Sequence, residues 1–292
     1  MKIGAGAVLV LFLCFRTASV VLALDWKTLH TEADERTSLG AFLKSPGRQD
    51  SIEQVYVQGL VYLNEHKDKE AGDAFQKMLA FDPGSLEARW GKAEVFRRMH
   101  RLDESESLLK QIIGEKKDFA PALVSMAYVQ YIRGNFNQSV DYALAVVDLG
   151  EEHVDTMNYA RAYLLVGGGR GIIAHYGGPV SKLVNGTRVL PNLKKAEQLK
   201  PDAPGVLFGL GSFYLLAPSL IGGNLEQAII YLERAVKSDP PFADAYVRLS
   251  QAYKRKGDAG KSEFYLKKAF EIDPENELAV DVKTGTCKFI CP

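Results

Sequence analysis

The chain has 292 residues, 47% of them hydrophobic, which is enough to fill a sizeable core and too apolar for a disordered chain. Thirty-six basic residues balance thirty-six acidic ones, so no global field draws it to nucleic acid or to an anionic surface. What remains is a folded protein of one large domain or two ordinary ones, for which nucleic acid is not the expected partner.

The first residues, MKIGAGAVLVLFLCFRTASVVLALDW, carry one early lysine, an apolar core from Gly4 to Phe15, and small residues around a cut after Ala23 or Ser19. That pattern reads as a secretory signal over residues 1–23. The alternative is an uncleaved anchor that leaves the chain membrane-associated, but Arg16 interrupts the apolar run short of the roughly 20 residues a spanning helix needs. Cys14 would carry the lipid of a lipoprotein, yet bulky Phe12 and Leu13 stand where small side chains are required. The expected location is secreted or periplasmic. Residues 24–51 then form an N-terminal cap segment with a helix around Glu32–Lys44, ended by the turn Ser45–Gly47.

From Ile52 a repeat begins. Gly59, Tyr62, Ala71 and Phe75 are followed 34 residues on by Ala93, Phe96, Ser105 and Leu109, and again by Ala127, Gln130, Ser139 and Ala143. Near the end, ADAYVRLSQAYKRKGDAGKSEFYLKKAFEIDP restores the pattern with Ser250, Tyr253, Gly257, Ser262, Ala269 and Pro274. Small residues let helix backbones approach while Tyr62, Phe75, Phe96 and Tyr253 fill the space between neighbours. This resembles the tetratricopeptide repeat, whose units are two antiparallel helices with a proline after the second. The resemblance implies an all-α, right-handed solenoid of stacked helix pairs over 52–274, with units at 52–85, 86–119, 120–153, 154–203, 204–242 and 243–274. A capping helix at Glu275–Lys283 and a cysteine-containing tail, together 275–292, close the chain.

Two units carry glycine-rich insertions. In the fourth, Val154–Val166 fits a first helix, but TRVLPNLKKAEQLKP regains register only after about sixteen extra residues. In the fifth, APSLIGG adds about five before NLEQAIIYLERAVKSDP. The glycines of YLLVGGGRGIIAHYGGP predict a sharp exit from the helix, a protruding segment, and a further turn at Gly177, Gly178 and Pro179. Gly169, Gly171 and Ala174 also satisfy a G-x-G-x-x-A dinucleotide pattern, which would make 167–178 the phosphate loop of a nucleotide-dependent enzyme. No acid occurs between Asp155 and Glu197 to bind a ribose, and the repeat register accounts for the same residues. That acid-free stretch carries six cations, of which Arg170, Lys182 and Arg188 are candidate anion contacts; the alternative is a solvated basic loop.

First helices of such repeats face the concave side, where register places Tyr56, Leu60, Trp90, Glu94, Val124, Tyr128, Tyr131, Asn158, Phe208 and Leu215. An aromatic groove centred on Tyr56, Trp90, Tyr128, Tyr131 and Phe208 suits an extended peptide, an amphipathic helix or a small apolar ligand. The five histidines are scattered without a nucleophile motif or metal spacing, so no catalytic residue, cofactor or metal is expected. His66 and His100 stand where the repeat turn usually has glycine. Cys287 and Cys291 are a candidate disulfide in an oxidising compartment, against two free thiols.

HYGGPVSKL and YLLAPSLIGGNLEQAIIYLERA also look like the T-component proteins of tripartite periplasmic transporters, over Asn158–Pro274. That resemblance implies a periplasmic partner of a solute-binding protein that holds a small or apolar ligand and can oligomerise. Taken together, the repeats predict a non-catalytic scaffold for protein–protein interaction through the concave groove.

Overall fold

Five of the helices begin at a side chain that caps them, and the hairpins close over residues too small to hold their helices apart. Ser85, Asp155, Asn224, Asp258 and Asn276 accept the backbone N–H three residues on, satisfying a donor that the first turn leaves free. At the crossings, Gly59 and Gly91 grip the ring of Phe75, and a Cβ on Gly59 would stand 2.7 Å from it. Ala71, Ala88, Ala93, Ala127 and Ala143 are wholly buried at equivalent crossings.

The computed structural model describes residues 25–35 and 52–292, and among them every regular element is helical. The leader, Cys14 and the Ser45–Gly47 turn lie outside the described residues. The first helix, α1 (Trp26–Glu35), starts ahead of the predicted Glu32. Six helix pairs follow, the fourth of them long: α2 (Ile52–Asn64) with α3 (Asp68–Phe81), α4 (Leu86–Arg98) with α5 (Leu102–Glu115), α6 (Ala120–Arg133) with α7 (Phe136–Leu149), α8 (Thr156–Tyr176) with α9 (Pro179–Leu199), α10 (Pro204–Leu216) with α11 (Leu225–Ser238), and α12 (Ala243–Lys256) with α13 (Ala259–Ile272). A short α14 (Glu277–Thr284) lies against α12 and α13. Each pair packs on the next, so the core is a string of apolar clusters along the solenoid.

The tight turns inside the pairs need a left-handed residue. Gly134 and Gly257 supply it with φ of 86°, and His66 and His100 occupy the same place in the first two pairs with φ of 58°. A non-glycine residue there costs roughly 1–2 kcal/mol of backbone strain, so the two histidines must do something a glycine could not.

The sharp exit predicted at the fourth pair does not occur. Helix α8 runs straight through Gly167–Gly171 to Tyr176, and α8 and α9 have 21 residues each against 13 or 14 in the other pairs. The extra residues lengthen both helices by about two turns each and the chain turns only at Gly177–Gly178. Mid-helix glycine is unfavourable by about 1 kcal/mol relative to alanine, yet close packing holds the helix together. A Cβ on Gly169 would meet Val140 at 2.6 Å, and one on Gly167 would meet Leu193 at 2.9 Å. Gly169 and Gly171 therefore sit within one helix, with no strand ahead of them, and the strand–turn–helix of a dinucleotide site is not formed. In the fifth pair the extra residues make a 3₁₀ turn, Ser219–Ile221, closed by Gly222 at φ 107° and by Asn224 N–H donating to the Tyr214 carbonyl at 2.8 Å.

A central cavity as candidate functional site

The solenoid curls until its first turns reach its last. His66 Nε2 lies 2.9 Å from Asp239 Oδ1 beyond α11, and Arg98 donates to His66 Nδ1 at 3.0 Å. His100 bridges Glu277 Oε1 at 3.0 Å and Asp273 Oδ1 at 3.1 Å. Burial would lower the His100 pKa, but Glu277 and Asp273 outweigh it and hold it above the ordinary histidine value. The two strained turn residues thus clasp the ends of the array together. The concave face becomes the wall of a cavity of about 1900 Å³ instead of an open groove.

A second closure comes from the C-terminal tail. Cys287 and Cys291 are joined in a disulfide, and the loop they form sets Phe289 against Tyr131 with ring centroids 5.7 Å apart. Arg248 donates to the carbonyls of Phe289 at 2.6 Å and Ile290 at 2.8 Å, while Asp281 accepts from the Lys288 and Phe289 amides. Lys288 reaches the Ile132 carbonyl and Tyr176 the Cys287 carbonyl, so the tail ties the third and fourth pairs to the sixth.

One end of the cavity is polar and filled. Helix α1 lies in the concave face, with Trp26 edge-on to Phe119 and His30 between Tyr56 and Trp90. Asn158 donates to His30 Nδ1 at 3.2 Å and to Asp155 Oδ2 at 2.7 Å, and His30 Nε2 lies 2.8 Å from the Tyr56 hydroxyl. Burial drives the His30 pKa down to about 4 despite the charge of Asp155, so the ring is neutral and pins α1 by hydrogen bonds. Beside it Glu94 and Arg97 pair at 3.0 Å. Burial pushes Glu94 up, but the charge and hydrogen bonds of Arg97 win and hold it at about 2.

The other end is apolar and hollow. Helix α8 presents Arg161, Leu164, Leu165, Gly168, Gly171, Ile172 and His175 to the cavity, three or four residues apart along one face. The wall continues onto α10, packed beside α8, with Phe208, Gly209, Phe213 and Leu216. Gly168 and Gly171 differ from Gly167 and Gly169: an added Cβ would be 3.6 Å from Tyr131 and 3.8 Å from Val189, ordinary contacts. Packing does not demand glycine at either place, and what glycine secures there is space. Two polar groups on residues of the cavity wall lack full partners. Among the described residues Ser212 Oγ is buried with no hydrogen bond, and Arg161 has no ion pair at contact distance, the charge of Glu94 in its field, and one hydrogen bond, at 3.5 Å to Asn158 Oδ1.

Of the expected groove residues, Trp90, Tyr128, Tyr131 and Phe208 line the cavity, with Leu60, Glu94, Val124 and Asn158. Tyr56 does not; it is wholly buried behind α1, and Leu215 is buried between α10 and its neighbours. The anion set Arg170, Lys182 and Arg188 is split. Lys182 stands at the cavity rim, whereas Arg170 bonds Asn185 Oδ1 at 3.1 Å outside it. Burial and the charge of Arg188 both lower the Arg170 pKa, the mark of two crowded cations. Sequence reading missed His30, Arg97, Arg161 and the clasp. The signal for the clasp was present in His66 and His100 at glycine positions.

A tetratricopeptide repeat family model matches residues 221–242 and 243–276. No curated protein matches the chain in sequence. Among solved structures the fold is similar to the human IFIT1 dimer with PPP-AAAA, at 20% identity over 82% of this chain and 55% of that one, with a TM-score of 0.56. It is also similar to the APC/C hetero-tetramer Cut9–Hcn1, at 12% identity over 89% and 52% with a TM-score of 0.56. A tetratricopeptide repeat protein from Parabacteroides merdae matches at 12% identity over 88% and 96%, with a TM-score of 0.50. The chain spans about half the length of the first two. What these structures share with it is the repeat architecture, and they lend no support to the transporter resemblance.

Proposed function

We propose that this tetratricopeptide repeat protein is a non-catalytic binding scaffold whose recognition site is the central cavity, and that its guest there is an amphiphile with an anionic head. The observation that carries this is the α8 face. It runs from a cation at Arg161 through Leu164, Leu165, Gly168, Gly171 and Ile172 to His175 at the rim, a path of about 21 Å at 1.5 Å per residue. A pocket of this kind, mostly apolar with a few placed polar groups, is the usual form of a small-molecule site. The guest's head is neutralised by Arg161, and its body covers the glycines and Phe213. The signal-like pattern of residues 1–23 and the Cys287–Cys291 disulfide support work outside the cytoplasm.

A second reading is a peptide segment of a protein partner entering the same cavity, favoured by the rings of Tyr128, Tyr131 and Phe208 on its wall. Native mass spectrometry of the purified protein separates the two: a retained small molecule supports the amphiphile, and an empty protein that captures a peptide supports the partner. Titration with a long-chain carboxylate, followed by Trp90 fluorescence, should saturate in the wild type and fail in Gly171→Trp, whose side chain enters the hollow. Arg161→Leu should weaken carboxylate binding about ten- to hundredfold, the range of a charge-assisted hydrogen bond, and leave the matching alcohol nearly unchanged. Equal loss of both would remove Arg161 from the head site.

A further inference from the structure

The hollow end of the cavity opens beneath a rim of apolar side chains that nothing among the described residues covers. On α9, Val180, Leu183 and Val184 follow one another at helical spacing and are exposed, as is Tyr176 at the end of α8. Across the mouth, Leu220 is fully exposed and Ile221 more than half. The two groups are neighbours by register. Helices α9 and α10 run antiparallel with Gly209 against Leu193, so the residues after Leu216 return alongside those before Gly186. Leu183 and Ile221 both line the cavity mouth.

Along the α9 side of this rim the charge has one sign. Lys182 and Arg188 are exposed on α9, and no acid occurs between Asp155 and Glu197. The 3₁₀ segment from Ala217 to Asn224 has no charge. The acids on bordering elements are Asp141, which faces Arg170, and Glu226 in the first turn of α11. A tip of two lengthened helices with apolar side chains and cations is shaped to enter a surface, whereas a protein partner is commonly met by a groove.

We propose that the tip of the α8–α9 hairpin and the 219–221 turn form a docking surface for an anionic phospholipid bilayer, with the cavity mouth opening onto it. Tyr176, Val180, Leu183 and Leu220 enter the boundary between headgroups and acyl chains, and Lys182 and Arg188 meet the headgroup phosphates. No helix among the described residues is long and apolar enough to cross a membrane, so the contact is peripheral. The surface stands apart from the cavity's guest, although it would place an amphiphile's source at the mouth.

The test is co-sedimentation of the full chain with vesicles of phosphatidylcholine alone and of an equal mixture with phosphatidylglycerol. The mixture should bind, and binding should weaken as salt rises. Leu183→Asp with Leu220→Asp should lower it roughly tenfold or more, and Lys182→Glu should lower it on the anionic vesicles only. These positions are exposed, so the thermal midpoint should stay at the wild-type value. Gly171→Trp should bind vesicles as the wild type does, which separates this surface from the cavity reading. Equal binding to both vesicles, no binding at low salt, or an undiminished Leu183→Asp/Leu220→Asp variant would overturn the proposal. So would a concentration-dependent dimer in sedimentation velocity that the same variant abolishes, since a second copy would then cover the face.

Discussion

The two ends of the central cavity are built from the same helical hairpin by opposite means. In the first two pairs side chains are added: α1 fills the concave face, His30 is locked between Tyr56 and Asn158, and His66 and His100 take over glycine turns to reach the far end of the chain. In the fourth pair side chains are withheld. Gly168 and Gly171 line the hollow where larger residues would fit their own surroundings, and both helices are lengthened to carry that hollow outward. The comparison teaches that a solenoid unit can be specialised without leaving its frame. A changed turn residue makes a closure, and a missing Cβ makes room.

The filled end should be the one that acid breaks. His30 is held neutral with its pKa lowered to about 4, from an unfolded value of 6.5. Its contribution is therefore complete above 6.5 and lost as pH falls toward about 4, an effect of about 3 kcal/mol. Urea midpoints between neutral pH and pH 4 should show that slope in the wild type and a shallower one in His30→Gln. An identical slope would mean that α1 is not held by this ring.

At the hollow end the glycines should divide into two kinds. Gly169→Leu drives a side chain into Val140 and should cost about 2–3 kcal/mol by overpacking, read as a lower urea midpoint at unchanged slope. Were Gly169 as tolerant as Gly171, close helix packing would not explain why α8 continues through its glycines.

The clasp should matter less to stability than to opening. Replacing His66 and His100 with glycine relieves left-handed strain of roughly 1 kcal/mol each and removes partly exposed ion pairs worth about as much. The midpoint should move by no more than about 1 kcal/mol, while amides around Asp239 and Asp273 exchange faster. His100 carries the pH dependence of the opposite sign to His30. Its pairing is fully present below the ordinary histidine pKa and fades as pH rises through its raised value. Exchange in that region, corrected for its intrinsic rate, should quicken in mild alkali.

How far the sequence reached follows from which interactions are local. The 34-residue spacing of Gly59, Ala93 and Ala127 is a short-range record of helix crossings, so the hairpins and the turn at Gly177–Gly178 were legible. The glycines of α8 were misread because their propensity argues for an exit, and only contact with Val140 and Leu193, from other helices, reverses it. Tyr56 was misplaced for a similar reason: register puts it on the concave face, but α1 lies over that face. The clasp joins residues more than 170 apart in sequence, and no periodicity encodes the curvature that brings them together. Arg161 stood in the acid-free segment with five other cations, and only the cavity distinguishes it from them.

The smallest effect bears most directly on what the hollow is for. Gly171→Ala places a Cβ at 3.8 Å from Val189, an ordinary contact, and removes a flexible residue from the middle of a helix. It should therefore stabilise the protein, by about 0.5 kcal/mol. If Gly171 were present for packing alone, that gain would come without a functional cost. If the space is kept for a guest, the same methyl group should weaken long-chain carboxylate binding two- to threefold, roughly, while Arg161 and the rim are untouched. Stability and affinity would then move in opposite directions in one variant, which a merely loose helix would not produce.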